Sequence, residues 1–238
     1  TLCHSYNNDI CDSSSDKKGP EHNGLSSFGK QVVKEMNRLG IMVDVSHISD
    51  KSFYDVIETS SSPVIASHSS VRVIAHHNRN MTDEMIKALA KNGGVIQICL
   101  LDDYVKDPDT TSVYYRKRKE FYSNYEARSA AMTDEQKKEL RKEWRALSEN
   151  FPKTLPTVSD YVDHIDYVKN LVGIDYVGIG SDFDGGGGLQ DCADVSQFPN
   201  ITAEMLKRGY TAEEIEKVWG GNFFRVFKAV EQQSVSAK

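Results

Sequence analysis

Residues 40–47, Gly-Ile-Met-Val-Asp-Val-Ser-His, and their echo at residues 63–68, Pro-Val-Ile-Ala-Ser-His, decide the fold. Each run is short, rich in β-branched residues and apolar at consecutive positions. A strand with one wet face alternates apolar and polar residues; an unbroken apolar run is buried on both faces, as in a parallel sheet. Residues 49–60 between them read as helix, giving a strand–helix–strand crossover. The design recurs at residues 95–100, after a helix capped by Thr82 and closed by Gly93-Gly94. It recurs again at residues 172–182, after a helix capped by Thr157 with Val158, Tyr161, Val162, Ile165 and Val168 on one face.

The flanks follow the same logic. Residues 1–24 are polar and rich in Ser, Gly, Asp and Asn, so they read as irregular loop. Ser26 or Ser27 caps a helix carrying Phe28, Val32, Met36 and Leu39 and closed by Gly40. Near the C-terminus, Thr211 and Glu214 form a capping box, and a last helix is expected to turn Phe224, Phe227 and Val230 inward. Residues 102–156 break the rhythm with a charged helical insertion. Its clearest piece opens on the Thr133/Gln136 capping box and runs through Trp144 and Leu147.

The chain therefore reads as one α/β domain over residues 1–238, with an insertion at 102–156. Its 238 residues approach the ~250 of a (β/α)₈ barrel. Only four strands are legible where a barrel needs eight, so half a barrel is expected. Hydrophobic residues at 39% and charged residues at 27% give a globular chain with a core. No apolar run of ~18 residues is present to span a bilayer. A net charge of −6 and the lack of a Lys/Arg stripe exclude nucleic-acid binding by bulk electrostatics. The four cysteines lack C-x-x-C spacing, which excludes a zinc ribbon. Cys3 and Cys11 can pair in an oxidising compartment or stay free thiols.

In parallel α/β folds, chemistry collects at the C-terminal ends of strands. His47, His68 and Asp182 hold that position here. A lone histidine after a strand is usually a satisfied polar cap. Two at equivalent ends, one βα unit apart and each beside serine, form a chelating pair for a divalent metal such as zinc. Asp182, in Gly-Ile-Gly-Ser-Asp-Phe-Asp-Gly at 178–185, is placed to take a proton from metal-bound water and return it to a leaving amine. The bland alternative is a flexible loop with solvated acids. No Lys-Ser/Thr follows the glycines, so this is not a P-loop. Arg79, in the loop after His68, suits a substrate carboxylate, though a loop arginine is more often a surface charge. His22, His76, His77 and His164 read as ordinary solvated or structural histidines. No nucleophile elbow or Cys–His pair points to covalent catalysis.

In order along the chain, GLSSFGKQVVKEMNRLGIMVDVSHIS, PVIASHSS, HHNRNMTDE, VGIGSDFDGGGG and GGNFFRVFKAVEQ resemble the membrane (renal-type) dipeptidase family. The insertion is similar to that of its bacterial branch. The resemblance implies a (β/α)₈ barrel of the metallo-dependent hydrolase type with two zinc ions, cleaving free dipeptides and tolerating a D-residue at the C-terminal side. It implies that His47 and His68 hold one zinc, that Asp182 handles protons at the bridging water, and that Arg79 grips the dipeptide carboxylate. Thr1-Leu2-Cys3-His4 resembles the family's T-L-T-H, whose histidine reaches the scissile carbonyl, with Cys3 in place of the second threonine. Tyr104 falls where the family places a substrate-contacting tyrosine.

Two features that the resemblance implies are not found at their family places: an H-x-D pair on the first strand and a metal-bridging glutamate before T-L-T-H. The chain's one H-x-D, His164-Ile165-Asp166, falls in the helix capped by Thr157. The expectation is a C-terminal portion of a family member, inactive alone and completed by the N-terminal half of the same barrel. A homodimer is one open option, and the bacterial likeness implies an extracytoplasmic setting. Against the zinc dipeptidase stand two other readings: a non-catalytic barrel that has lost its metals, and another amidohydrolase-like activity such as a lactamase or deaminase.

Overall fold

The computed structural model describes residues 1–128 and 132–236; residues 129–131 of the expected insertion and 237–238 lie outside the described residues. The chain resolves into two compact units: Thr1–Asp107 together with Pro156–Lys238, and Pro108–Leu155.

The first unit is built on a small parallel sheet among helices. Strands β1 (Ile65–Ala66), β2 (Val95–Ile98) and β3 (Val177–Ile179) lie in the order β1-β2-β3. Ile65 pairs with Val95, and Gln97 with Gly178. Ile65, Ala66, Val95, Ile96, Ile98 and Val177 are all buried, which is why the runs carry no polar alternation. Residues 41–45, expected as a full strand, make only a parallel bridge, Asp44 to Ile65. The reason is local. Val45 N–H donates to Ile65 O and Ile65 N–H to Val43 O, but Ser46 and Ser67 N–H then turn to the Asp44 Oδ1 atom, so the ladder stops. The fourth run likewise starts with a 3₁₀ turn, Ile174–Tyr176, before β3.

Helices α1 (Ser27–Leu39), α2 (Asp50–Thr59), α3 (Asp83–Lys91), α4 (Asp102–Val105) and α7 (Val158–Val172) connect and cover the strands. Ser26, Ser49, Thr82 and Thr157 cap four of them through their side chains. Gly40, at φ 75°, closes α1 in the left-handed region. Helices α8 (Pro199–Lys207) and α9 (Ala212–Glu216) follow, and α9 runs through a π turn at Lys217–Gly221 into α10 (Asn222–Ser236). The π turn brings Asn222 under the sheet, where its amide donates to Ile174 O and Val177 O.

Two helix faces differ from expectation. Phe28 and Leu39 on α1 are 55% and 52% exposed, and Phe224 and Phe227 on α10 are 56% and 45% exposed. The buried lines are Val33 with Asn37 on α1 and Val226 with Val230 on α10; the latter pack on Ile65 and Val95. Among the described residues, no helix is long and apolar enough to cross a membrane.

In the second unit, α5 (Val113–Arg128) and α6 (Asp134–Asn150) form a helical pair. The Thr133/Gln136 capping box opens α6, and the Trp144 ring meets Phe121 and Tyr122 at 5.1 and 5.3 Å.

The N-terminal loop is organised by one buried carboxylate. Asp12 accepts N–H from Glu21, His22 and Gly24 at 2.8–2.9 Å, while its backbone carbonyl accepts from Ser49 N–H and the Ser52 hydroxyl. Burial pushes the Asp12 pKa up, but the three N–H donors more than offset it, and the net direction is down. A carboxylate whose folded pKa is depressed adds stability above the unfolded pKa and loses it as pH falls through the folded one. Stability should therefore decline below about pH 4. In Asp12→Asn, chemical denaturation should show a lower plateau at pH 7 and a shallower acid limb.

Candidate active site

The parallel register brings the strand ends to one rim. His47 follows the Asp44 bridge, His68 follows β1 and Asp182 follows β3. The Nε2 atoms of His47 and His68 face each other at 2.7 Å. The His4 ring lies against His47 with centroids 4.1 Å apart, so three of the expected residues form one cluster of tilted rings. Burial first, then the positive charge of Arg79, hold the His47 pKa down to about 3. Burial and Arg79 also lower His68, against the opposing pull of Asp44 and Asp182. Both rings are therefore neutral near pH 7, the form in which imidazole ligates metals.

Backbone strain concentrates here. Among the described residues, three non-glycine residues have positive φ: Asn23 at 53°, His47 at 77° and Asp182 at 148°. Such conformations cost roughly 1–3 kcal/mol each and persist only where surroundings impose them. Around Asp182 the surroundings are glycine. Gly185 and Gly187 N–H donate to Asp182 O, and a Cβ on Gly185 would collide with the Asp182 carboxylate. The Asp182 charge acts on His68, Arg79 and Tyr104.

Arg79 is not a surface charge. It is 4% exposed, its Nη2 donates to His68 O at 3.1 Å, and its guanidinium carbon lies 5.5 Å from the Tyr104 ring centre. Its Nε is buried with no hydrogen-bond partner. A buried guanidinium with an unused donor is matched to an anion that completes it. His77 is a correction to the sequence reading. Its ring lies against Tyr104 with centroids 4.5 Å apart and its Nδ1 accepts the Arg79 backbone N–H, so it helps build the Arg79 pocket. His76 pairs with Asp107 at the surface. His164 is structural: Val71 N–H donates to its Nδ1, and its Nε2 donates to Val105 O. All four cysteines are buried free thiols, Cys3 and Cys11 included.

Sequence reasoning missed Asp44 and Ser67. Ser67 donates its hydroxyl to Asp44 Oδ2 at 2.7 Å, and the Ser67 Oγ itself lies 2.7 Å from His68 Nδ1. The signal was present as a carboxylate inside an apolar strand run, since a buried charge needs partners.

The donor set fits part of a metal site. Two neutral imidazole nitrogens converge, and His47 and His68 would hold the ion. Among the described residues, no group of three His, Cys, Asp or Glu side chains is placed to hold an ion.

A family profile described as membrane dipeptidase (peptidase family M19) matches residues 1–238. The chain belongs to that family. It is 35% identical to dipeptidase tcpJ of Claviceps purpurea (strain 20.1), over 100% of this chain and 46% of that protein. It is 32% identical to dipeptidase 3 of Rattus norvegicus, over 88% of this chain and 34% of that protein. Among solved structures it resembles the probable dipeptidase PvdM of Pseudomonas aeruginosa, with TM-score 0.84, 32% identity and coverage of 97% of this chain and 62% of that one. A Rhodobacter sphaeroides metallo peptidase, liganded with a phosphinate mimic of L-Ala-D-Ala, gives TM-score 0.64 and 27% identity, covering 87% of this chain and 48% of that one. The chain spans about half the length of the curated relatives it matches. M19 members are metallopeptidases, so a metal cofactor is implied.

Gly180 allows the close approach of strand ends that builds the rim. A Cβ there would sit 2.8 Å from Ile98 O, 2.9 Å from Ser67 O and 3.1 Å from Gln97 O, all backbone atoms that cannot swing aside. Gly180→Ala should destabilise the chain by about 1–3 kcal/mol in urea denaturation. Gly220→Ala, whose Cβ meets only the Phe224 ring at 3.6 Å, should not.

Proposed function

We propose that this chain forms one side of the active site of a zinc-dependent dipeptidase acting on free dipeptides, on a rim belonging to half of a (β/α)₈ barrel. The observation that carries this reading is the convergence of His47 and His68 Nε2 at 2.7 Å beside the buried, incompletely paired Arg79. His47 and His68 would hold zinc. When bound, the metal supplies Lewis-acid polarisation and a water of lowered pKa. Its remaining ligands would come from outside the described residues, so the 238-residue chain alone should be inactive.

The chain's own residues supply the rest. Arg79 takes the dipeptide C-terminal carboxylate, which satisfies its orphan Nε and favours a free dipeptide over a longer peptide. The ring of Tyr104, beneath the guanidinium, bounds that pocket. Asp182, held by its glycine cradle, receives the proton from the attacking water and passes it to the leaving amine. His4, with its ring against His47 and exposed on its other side, donates a hydrogen bond to the developing oxyanion.

A second reading, another amidohydrolase-like activity, draws on the likeness to an amidohydrolase from Pseudomonas aeruginosa, TM-score 0.68 at 27% identity, covering 96% of this chain and 63% of that one. Arg79 separates the two. In the zinc-loaded full-length protein, a Gly–D-Ala-type dipeptide should be hydrolysed, and Arg79→Ala should lower kcat/KM by about 10²-fold, mainly through KM. No zinc-dependent dipeptide hydrolysis overturns the dipeptidase. Hydrolysis of a cyclic or carboxylate-free amide, indifferent to Arg79→Ala, favours the alternative.

A further inference from the structure

Three hydrogen bonds fix where the proton sits on His68. The Asp44 carboxylate only accepts: Oδ1 takes Ser46 N–H and Ser67 N–H, each at 3.0 Å, and Oδ2 takes the Ser67 hydroxyl at 2.7 Å. A hydroxyl has one proton to give. Having given it to Asp44, the Ser67 oxygen can meet His68 Nδ1 at 2.7 Å only as an acceptor. The His68 proton is then on Nδ1 and the lone pair on Nε2, aimed at His47. The His68 backbone is pinned as well, with its N–H on Ser46 Oγ at 3.0 Å and its carbonyl under Arg79 Nη2 at 3.1 Å.

We infer that Asp44 and Ser67 are positioning residues that lock His68 in the Nδ1–H tautomer, keeping Nε2 free as a metal-ligating lone pair. The inference rests on the reading above that His68 Nε2 is a metal ligand. Outer partners of this kind orient ligating histidines and set their basicity. Asp44→Asn gives the sharpest test because it keeps the shape and can keep Oδ1 on the two backbone N–H groups. It then presents an amide donor to Ser67, which must turn its hydroxyl proton onto His68 Nδ1. The His68 proton moves to Nε2, and the lone pair is lost.

Long-range ¹H–¹⁵N spectra of the ¹⁵N-histidine-labelled, metal-free protein read the tautomer directly. The expected result is Nδ1–H for His68 in the wild type and in Ser67→Thr, a mixture in Ser67→Ala, and Nε2–H in Asp44→Asn. Zinc affinity by chelator competition should fall about 10–100-fold in Asp44→Asn and Ser67→Ala and stay near wild type in Ser67→Thr. Nε2–H in the wild type, or an unchanged tautomer in Asp44→Asn and Ser67→Ala alike, overturns the relay. A wild type with the expected tautomer that binds no zinc sinks the metal reading while the tautomer lock stands. A folded Ser67→Ala with a mixed tautomer supports the relay even where Asp44→Asn does not fold.

Discussion

Everything at the site depends on parallel pairing. Strands joined head to tail by helices point the same way, so each strand's C-terminal end arrives at one edge of the sheet. The bridge at Asp44, the pairing of Ile65 with Val95 and that of Ile98 with Ile179 therefore fix more than a sheet. They bring residues far apart in sequence into one ring of side chains, and His47, His68 and Asp182 stand on it because each follows such an end. The pairing also explains why these strands are so short. At the Asp44 bridge, the backbone donors of Ser46 and Ser67 go to the Asp44 carboxylate instead of continuing the ladder.

The rim carries strain that the rest of the unit must support. His47 and Asp182 occupy positive φ values that glycine adopts freely and they adopt only at a cost. Arg79 holds a guanidinium in a place with too few acceptors. Each lowers stability on its own, and all three meet at one edge, where the surroundings over-determine them. His47 is gripped from behind, its carbonyl accepting from Ser14 N–H and Cys3 Sγ–H. The Asp182 carboxylate occupies the space that a Cβ on Gly185 would take, so only glycine there lets it sit so close. A fold optimised only for stability would relax these positions, so their persistence supports the proposed site.

Much of this was legible in the residues, and the failures have identifiable causes. Helix starts were readable because a hydroxyl or carboxylate cap acts within a few residues: Thr82, Thr133, Thr157 and Thr211 all cap where they were expected. Buried strands were readable because two-sided burial forbids polar alternation. Helix faces were less legible. Phe224 and Phe227 carry a strong apolar signal, yet of the expected face only Val230 meets the sheet, joined by Val226, and that depends on the angle at which the helix lands. His77 looked solvated, and Arg79 stayed open between carboxylate grip and surface charge, because a polar loop sequence says nothing of whether the loop folds over a site. The family resemblance supplied roles for the rim residues that spacing alone left open between metal ligand and polar cap.

Asp44 shows why the supporting shell is harder to read than the rim it supports. A ligating histidine announces itself by residue type and place, whereas an aspartate in an apolar run can only be recognised as a buried charge awaiting partners. Its partners, Ser46 and Ser67, lie on two different segments that only the parallel bridge brings together. The same carboxylate ends the strand ladder and holds the serine beside His68. Fold and site thus share a residue. A change at Asp44 would loosen the junction of two strand ends and alter the chemistry beside His68 together, so an isosteric change separates the two effects more cleanly than a truncation.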